Sequence, residues 1–437
     1  MSAKEFYYKR PLHLPEIPPE IWITVLRHAT GDYELAFPSE LRFETIGPPM
    51  WYTSERLKRF RKALVTKRNI VLVCKTWYAM ACPFLYEHIV LGRNKVLAPL
   101  CDGLSRAALE NRKVGWWTER LDVRMRDATQ TPGATFATLA DILAHLPNLC
   151  ILTFSITGYG FSESPLPNAV LNSITSSGSL KCVQWHNAIT TPSSRNWTAF
   201  LQKHPELEFL DGKQNIDWNP HIKLDAVKIL HGCPLPTRSR AVWSTVDLPA
   251  VRSMLYDWPY GSEIDDVITF SRLGDKLTDL QLNFFGGHLR DFRVTALDLL
   301  FTRIRAECTR LTQVILVVDS WSILDWYIPT LPTTVHALGI RVMAEQVSAS
   351  NAKRFFNILL PAYVASNPSL KTIKFMEERN IRALRSHSLS MWNGFRVMQG
   401  LGVAVKDLED RRIVAPNPPL VPYFHPTPTL DGHHTTS

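Results

Sequence analysis

Apolar residues near the N-terminus recur at the spacing of an α-helix. The first stripe follows Pro18-Pro19 and contains Ile21, Trp22, Val25, Leu26 and Ala29. A second stripe begins near Asn69 and is expected to end near Cys82, because Pro83 follows it; its members are Ile70, Val73, Cys74, Trp77 and Ala81. Residues three and four apart share one face of a helix, so each stripe predicts an amphipathic helix with one face to bury.

The middle of the chain repeats a short apolar pattern: one apolar residue, a second three positions later and a third two positions after that. Seven clear copies start at Leu149, Leu180, Val251, Leu277, Leu311, Val335 and Leu370, and weaker copies start at Leu207 and Leu224. Helical stripes precede several copies, so the unit is typical of a helix, a loop and a short strand. Stacked units of this kind form a parallel sheet backed by helices. The alternative is an ordinary α/β domain, whose buried parallel strands also appear as short apolar runs.

The region between the two N-terminal stripes is basic. From Arg56 to Lys75 the chain has eight basic residues and no acidic one, and Leu57, Phe60 and Leu64 lie among them at helical spacing. This pattern favours a basic amphipathic helix with a solvated face; a nuclear import signal and a phosphate-binding face are the alternatives. The whole chain has a formal charge of +9, which by itself indicates solubility and at most an acidic partner.

The composition excludes several classes of protein. With 45% hydrophobic and 20% charged residues, the chain is not wholly disordered. Its longest aliphatic runs, 70–74 and 314–318, are far shorter than the ~20 residues that span a bilayer, and the first twenty residues lack the apolar core of a secretion signal. The seven cysteines form no C-x-x-C pair, so we expect reduced thiols in an intracellular protein. Six prolines after Val414 predict an extended or disordered end.

Motifs that carry chemistry are weak in this chain. Its fourteen histidines form no H-E-x-x-H motif, and no G-x-S-x-G motif occurs. Gly158-Tyr159-Gly160 lacks both the third glycine of a dinucleotide site and the lysine of a phosphate-binding loop. We therefore expect no enzyme activity, no metal site and no cofactor.

The two N-terminal stripes and their flanking residues follow a recognisable order. Residues 14–26 are LPEIPPEIWITVL, residues 73–78 are VCKTWY and residues 83–87 are PFLYE. This order resembles the F-box, especially the fungal form that precedes leucine-rich-like repeats. The resemblance covers residues 12–91, and about forty residues, 31–69, separate its two halves where a compact F-box has far fewer.

The resemblance implies a partner and a set of contact residues. In the F-box family a small trihelical domain docks onto a Skp-type adaptor, which joins it to a cullin ubiquitin ligase, and the following repeats hold the substrate. By resemblance, the adaptor contacts are Leu14, Pro15, Ile17, Ile21, Val25, Leu26, Val73, Cys74 and Trp77. The same stripes would also suit a small helical core with no outside partner.

Together these features predict a multidomain chain: a small all-α F-box-like trihelical domain followed by an α/β leucine-rich-repeat-like solenoid. The expected boundaries are an N-terminal arm at 1–11, the F-box-like domain at 12–92 with a basic insertion at about 31–69, the solenoid at 93–412 and a Pro-rich tail at 413–437. Residues between the apolar positions of a strand point to its other face. The candidate substrate contacts are therefore Gln184, His186, Asp279, Gln281, Asn283, Thr372 and Lys374.

The function expected from the resemblance is that of a noncatalytic substrate-recognition subunit of a Skp-cullin-F-box ubiquitin ligase, located in the cytoplasm, the nucleus or both. Its partners would be a Skp-type adaptor, through it a cullin, and a protein substrate; neither a membrane nor a nucleic acid is expected among them. One alternative is a repeat-based interaction scaffold that recruits no ligase. Another is a nucleic-acid-associated protein that uses the basic stretch 56–75.

Overall fold

The structure is a computed structural model that describes most of the chain between residues 18 and 414. The described ranges are 18–30, 54–127, 131–157, 166–175, 178–185, 192–211, 223–232, 248–258, 267–284, 294–325, 327–344 and 346–414. Contacts divide the chain into two compact units, Met1–Asn283 and Phe284–Ser437.

Twelve strands form one sheet in which the strand order follows the order of the chain. The recorded strand pairs are parallel, and neighbouring strands pair without a shift between copies; Leu121, for example, is opposite Leu152, which is opposite Val183. The strands are β1 (His88–Leu91), β2 (Arg120–Val123), β3 (Ile151–Phe154), β4 (Cys182–Trp185), β5 (Phe209–Asp211), β6 (Ile229–Gly232), β7 (Ser253–Asp257), β8 (Asp279–Phe284), β9 (Gln313–Val318), β10 (Ala337–Val342), β11 (Thr372–Phe375) and β12 (Ala404–Lys406).

Helices precede β1 and connect most of the later strands, as parallel strands require a crossover between them. They are α1 (Pro19–Thr30), α2 (Ser54–Val71), α3 (Lys75–Tyr86), α4 (Leu97–Leu109), α5 (Pro132–Ala144), α6 (Asn168–Asn172), α7 (Ser194–Lys203), α8 (Val267–Leu273), α9 (Val294–Glu307), α10 (Ala349–Arg354), α11 (Leu360–Ser366), α12 (Glu378–Arg385) and α13 (Ser388–Gly400). Short 3₁₀ turns lie at Asn94–Val96, Val114–Trp117, Gly274–Lys276 and Trp321–Asp325, and a π turn at Phe355–Leu359 joins α10 to α11.

Both faces of the central strands are buried. Leu121 and Val123 are fully buried on one side of β2, and Asp122, which points to the opposite side, is also fully buried. All four residues of β3 and all four of β4 are buried as well. Burial on both faces is typical of parallel sheets, and here the second face buries polar side chains such as Asp122, Thr153 and Gln184.

The expected fold class is wrong. The chain forms an α/β fold on one twelve-stranded parallel sheet, and the described residues contain no separate all-helical domain before it. The physical reason is that α3 leads directly into the sheet: it ends at Tyr86, β1 begins at His88, and the intervening Glu87 carbonyl accepts hydrogen bonds from the backbone N–H groups of Glu119 and Arg120. The first three helices belong to the same compact unit as the first strands.

The N-terminal helices cover the start of the sheet instead of folding alone. Phe60 of α2 is buried and lies against the His88 ring of β1, with ring centroids 4.7 Å apart. Because an edge strand needs cover for its side chains, a helix packed there protects the first strand from solvent. The boundaries 12–92, 93–412 and 413–437 remain predictions, and the arm 1–11 lies outside the described residues.

Candidate functional site

The first three helices share a small apolar core. Leu26 of α1 is 2% exposed and packs with Ile70 and Val71 at the end of α2 and with Ala81 and Phe84 of α3. Next to this core the Trp22 and Trp77 rings lie 5.6 Å apart. These contacts bring the outer parts of α1 and the α2–α3 turn into one region of the molecule.

The turn between α2 and α3 is held by the thiol of Cys74. Cys74 is the N-cap of α3, its backbone is extended, and its sulfur accepts a hydrogen bond from the Trp77 backbone N–H at 3.5 Å. An N-cap acceptor satisfies one of the free N–H groups of the first helical turn. The side chains of Leu72 and Val73, immediately before the cap, therefore extend into solvent from a fixed turn.

Four apolar side chains in this region are exposed, and we call them the N-terminal apolar surface. They are Ile21 at 53% exposure, Val25 at 47%, Leu72 at 71% and Val73 at 60%. Ile21 and Val25 are four residues apart, so they share one face of α1. Exposed apolar residues that occur singly are ordinary, but a group of this kind on adjoining elements is typical of an interaction site.

The predicted adaptor contacts divide into three groups in the structure. Leu14, Pro15 and Ile17 lie outside the described residues. The side chains that reach solvent are Ile21, Val25, Val73 and Cys74, and Trp77 is half-buried. Leu26 is part of the apolar core and offers no surface to a partner.

The predicted substrate contacts are mostly buried. Gln281 and Asn283 are fully buried, Gln184 is 8% exposed and Lys374 is 9% exposed. Asp279 and Thr372 are half-buried, and His186 lies outside the described residues. These side chains are therefore largely held within the molecule and not displayed on an open face.

A chain of polar side chains crosses β5 to β8, and we call it the β5–β8 polar chain. The His231 ring is 2% exposed and lies between two carboxylates, 3.6 Å from Asp211 Oδ1 and 3.2 Å from Asp257 Oδ1. Asn283 donates a hydrogen bond to Asp257 at 2.6 Å, and Gln281 donates one to Asn283 at 2.8 Å. Buried polar groups are tolerated when their partners satisfy them, so these contacts act as an internal network.

A second buried network joins β1 to β2. His88 Nε2 lies 2.7 Å from Asp122 Oδ2, and Arg120 donates to the other oxygen of Asp122 at 3.1 Å. Burial lowers the pKa of His88 well below its ordinary value, and the charges of Arg120 and Lys67 lower it further. Burial also raises the pKa of Asp122 to about 7. Burial thus disfavours the charged form of both the ring and the carboxyl.

Lys374 is paired by an acidic residue from the C-terminal turn. Lys374 and Lys406 are opposite each other on β11 and β12, and the Asp410 carboxylate lies 3.0 Å from the Lys374 ammonium and 3.5 Å from that of Lys406. Burial would raise the pKa of Asp410, but the two ammonium groups outweigh it and hold that pKa below its ordinary value. Lys374 is thus neutralised inside the chain.

The sequence analysis missed the acidic and histidine residues of these networks. Asp122, Asp211 and His231 each lie on a strand and are buried. The available signal was a charged or titratable residue between two apolar positions, as in Leu121-Asp122-Val123. On an open sheet face such residues would reach solvent, so this pattern alone does not predict a buried network.

Several kinds of chemistry find no support in the described part of the chain. It contains no group of three or more histidine, cysteine or acidic side chains that could hold a metal ion. Among the described helices, none is long and apolar enough to cross a membrane. Comparison of the chain with protein-family models gives no match, and none of the curated proteins matches it significantly.

Proposed function

We propose that this chain is a noncatalytic substrate-recognition subunit of a Skp-cullin-F-box type ubiquitin ligase, which binds a Skp-type adaptor through the N-terminal apolar surface. The proposal places the chain in the cytoplasm, the nucleus or both, with the adaptor linking it to a cullin. It rests on one observation: Ile21, Val25 and Val73, three of the apolar residues that the F-box resemblance assigns to adaptor contact, are exposed in the folded helices.

The energetics of burial support an apolar partner at this surface. Covering a side chain of this type in full contributes about 1.5–3 kcal/mol. Four such side chains on adjoining elements give a partner of complementary shape an apolar area to cover. The Cys74 cap and the contact between Trp22 and Trp77 hold the surface in place, so little ordering is needed on binding.

Co-expression with a Skp-type adaptor and a cullin tests the proposal. We expect the wild-type chain to co-purify with the adaptor and to capture the cullin through it. The variant Val73→Lys places a charge within the contact, and at a cost of about 2 kcal/mol or more it should weaken adaptor binding at least about 30-fold. The variant Val25→Lys should act in the same direction.

Leu109→Lys is the matched control for these variants. Leu109 is also apolar, is 87% exposed and lies at the end of α4, outside the three N-terminal helices and outside the predicted adaptor contacts. Its replacement should leave adaptor binding unchanged. If the wild-type chain does not bind the adaptor, or if Val73→Lys binds as tightly as Leu109→Lys, the ligase assignment is wrong and an interaction scaffold without ligase recruitment replaces it.

A further inference from the structure

Helix α2 separates its apolar and basic side chains onto opposite faces. Phe60, Ile70 and Val71 are buried, and Lys67 lies close enough to His88 to affect its titration. The opposite face is exposed and basic; we call it the α2 basic face, and its described members are Lys58, Arg61, Lys62 and Arg68. Because the buried face packs on the sheet, the basic face is fixed towards solvent.

The net charge of the whole chain is concentrated around this helix. Residues 54–127 contain sixteen lysine and arginine residues and seven aspartate and glutamate residues, an excess of nine. The complete chain has the same excess, +9, so the rest of the chain is formally neutral. A positive potential confined to one part of a molecule attracts anionic partners to that part.

The α2 basic face has no recorded counter-ion within the described residues. None of the ion pairs among the described residues involves its four members. Seven other lysine and arginine residues, all within 54–127 and 346–414, do form such pairs. Lys58 and Lys62 are four residues apart, and Lys58 and Arg61 are three apart. Like charges at these spacings cost a helix about 0.2–0.5 kcal/mol per pair, and a bound polyanion would remove that cost.

The length of the α2 basic face matches a short stretch of nucleic-acid backbone. From Lys58 to Arg68 the helix rises about 15 Å, at about 1.5 Å per residue. One strand of a nucleic acid carries about one phosphate per 3.4 Å of axis, which gives about four phosphates over the same length. The number of cations and the number of phosphates therefore agree.

The folded state of α2 argues against two other partners of a basic segment. A peptide read in extended form, as an import signal is, would require α2 to unfold and expose Phe60 and Ile70. A helix that inserts into a membrane interface needs a free apolar face, but that of α2 packs inside the protein.

We propose that the α2 basic face binds the phosphodiester backbone of a nucleic acid, without reading base sequence. The inference does not depend on the ligase assignment, because it concerns the charged face of α2 and not the N-terminal apolar surface. Lysine and arginine supply affinity for phosphates but no sequence information, so binding should vary little between sequences.

Fluorescence anisotropy with the full chain tests this proposal. The probes are a labelled duplex of about 20 base pairs and a single-stranded RNA of similar length, each titrated between 50 and 200 mM salt. Four phosphate contacts predict a log–log salt slope of about −3.6 for the duplex and about −2.8 for the single strand. Affinity should therefore fall about 150-fold for the duplex and about 50-fold for the RNA over this range. The probe that binds more tightly identifies the kind of nucleic acid.

Charge variants test whether nucleic-acid binding depends on the α2 basic face. Arg61→Gln/Lys62→Gln should lower the steepness of the duplex slope by about two and weaken binding at low salt. Lys58→Arg/Lys62→Arg keeps both charges and should bind like the wild type. The matched control is Lys353→Gln/Arg385→Gln, which removes two exposed charges from α10 and α12 and should not alter binding.

Three results would overturn the proposal. One is no anisotropy change with either probe at 50 mM salt and about 100 µM protein. Another is a double glutamine variant at residues 61 and 62 that binds as the wild type does while its melting temperature is unchanged. The third is binding to vesicles containing anionic lipid, or to a polyglutamate peptide, with neither nucleic acid bound.

Discussion

His231 is the central residue of the β5–β8 polar chain, and its replacement tests whether that chain stabilises the fold. The ring is 2% exposed and lies between Asp211 and Asp257, at 3.6 and 3.2 Å. The variant His231→Leu removes both ring nitrogens and keeps an apolar side chain of similar size. The two carboxylates then remain in the interior without the group that separates them.

The expected loss of stability is large. Removing one partner of a buried polar contact leaves the other partner without it and costs about 1–3 kcal/mol, because the desolvated group is no longer satisfied. Native domains unfold with a total free energy of only about 5–15 kcal/mol. His231→Leu should therefore lower the free energy of unfolding of the unit that contains β1 to β7 by about 1–3 kcal/mol, a substantial fraction of the whole.

Urea unfolding at pH 7, followed by tryptophan fluorescence, measures this loss. The control is His336→Leu, since His336 is exposed just before β10, and its replacement should change stability by less than about 0.5 kcal/mol. A double-mutant cycle that combines His231→Leu with Asp257→Asn isolates the interaction energy between His231 and Asp257. Asp257→Asn alters the other partner of the same contact, so the two changes together should cost about 0.5–1.5 kcal/mol less than their sum. Additive costs, or a loss below about 1 kcal/mol for His231→Leu alone, would refute the reasoning.

Two further predictions concern packing and pH. A Cβ at Gly394 of α13 would lie 2.5 Å from the buried ring of Phe356, so Gly394→Ala should lower stability by about 1–3 kcal/mol in a thermal melt. The control is Gly400→Ala, where a Cβ meets nothing within 4 Å; it should be neutral or stabilising in the same melt. Burial raises the pKa of Asp122 from 3.8 to about 7, so between these pH values the folded chain binds one more proton than the unfolded chain. The stability contributed by this proton is complete below about pH 4 and is lost as the pH rises to 7. Asp122→Asn should remove that part of the pH dependence of the melting temperature, and an unchanged profile between pH 4 and 8 would contradict the assignment.

The strands were predictable from the sequence because burial on one face leaves a regular pattern. Each of the seven clear apolar copies has a strand at its second and third apolar positions, as at Leu152 and Phe154 of β3. The weak copy at Leu224 was placed three residues early: Leu230 pairs with Leu210, so the unit starts at Val227. Gly232 occupies the third apolar position there, which made the copy hard to detect.

The helix boundaries could not be predicted from one apolar stripe. The stripe from Ile70 to Ala81 crosses two helices, because Cys74 caps a new helix within it and both helices contribute to the same core. Pro83 does not end α3, which continues to Tyr86; the Glu87 backbone N–H still bonds to the Pro83 carbonyl. Proline removes only one backbone hydrogen-bond donor from the helix. Packing of α3 against the apolar core therefore keeps the helix intact at a position where the proline alone would predict its end.

Because the opposite strand face is buried, most of the predicted substrate contacts are already held by partners within the chain. Gln281, Asn283 and Asp257 satisfy one another, and recruiting any of them to a ligand would leave a buried polar group unpaired at about 1–3 kcal/mol. Lys374 is already neutralised by Asp410. Among the described candidates, only Asp279 and Thr372 reach solvent in part. If the chain captures a substrate through its strands, Asp279→Asn and Thr372→Ala should weaken that capture, whereas Gln281→Ala should lower the melting temperature first. A pull-down in which Gln281→Ala loses the substrate at an unchanged melting temperature would show that the buried face opens on binding.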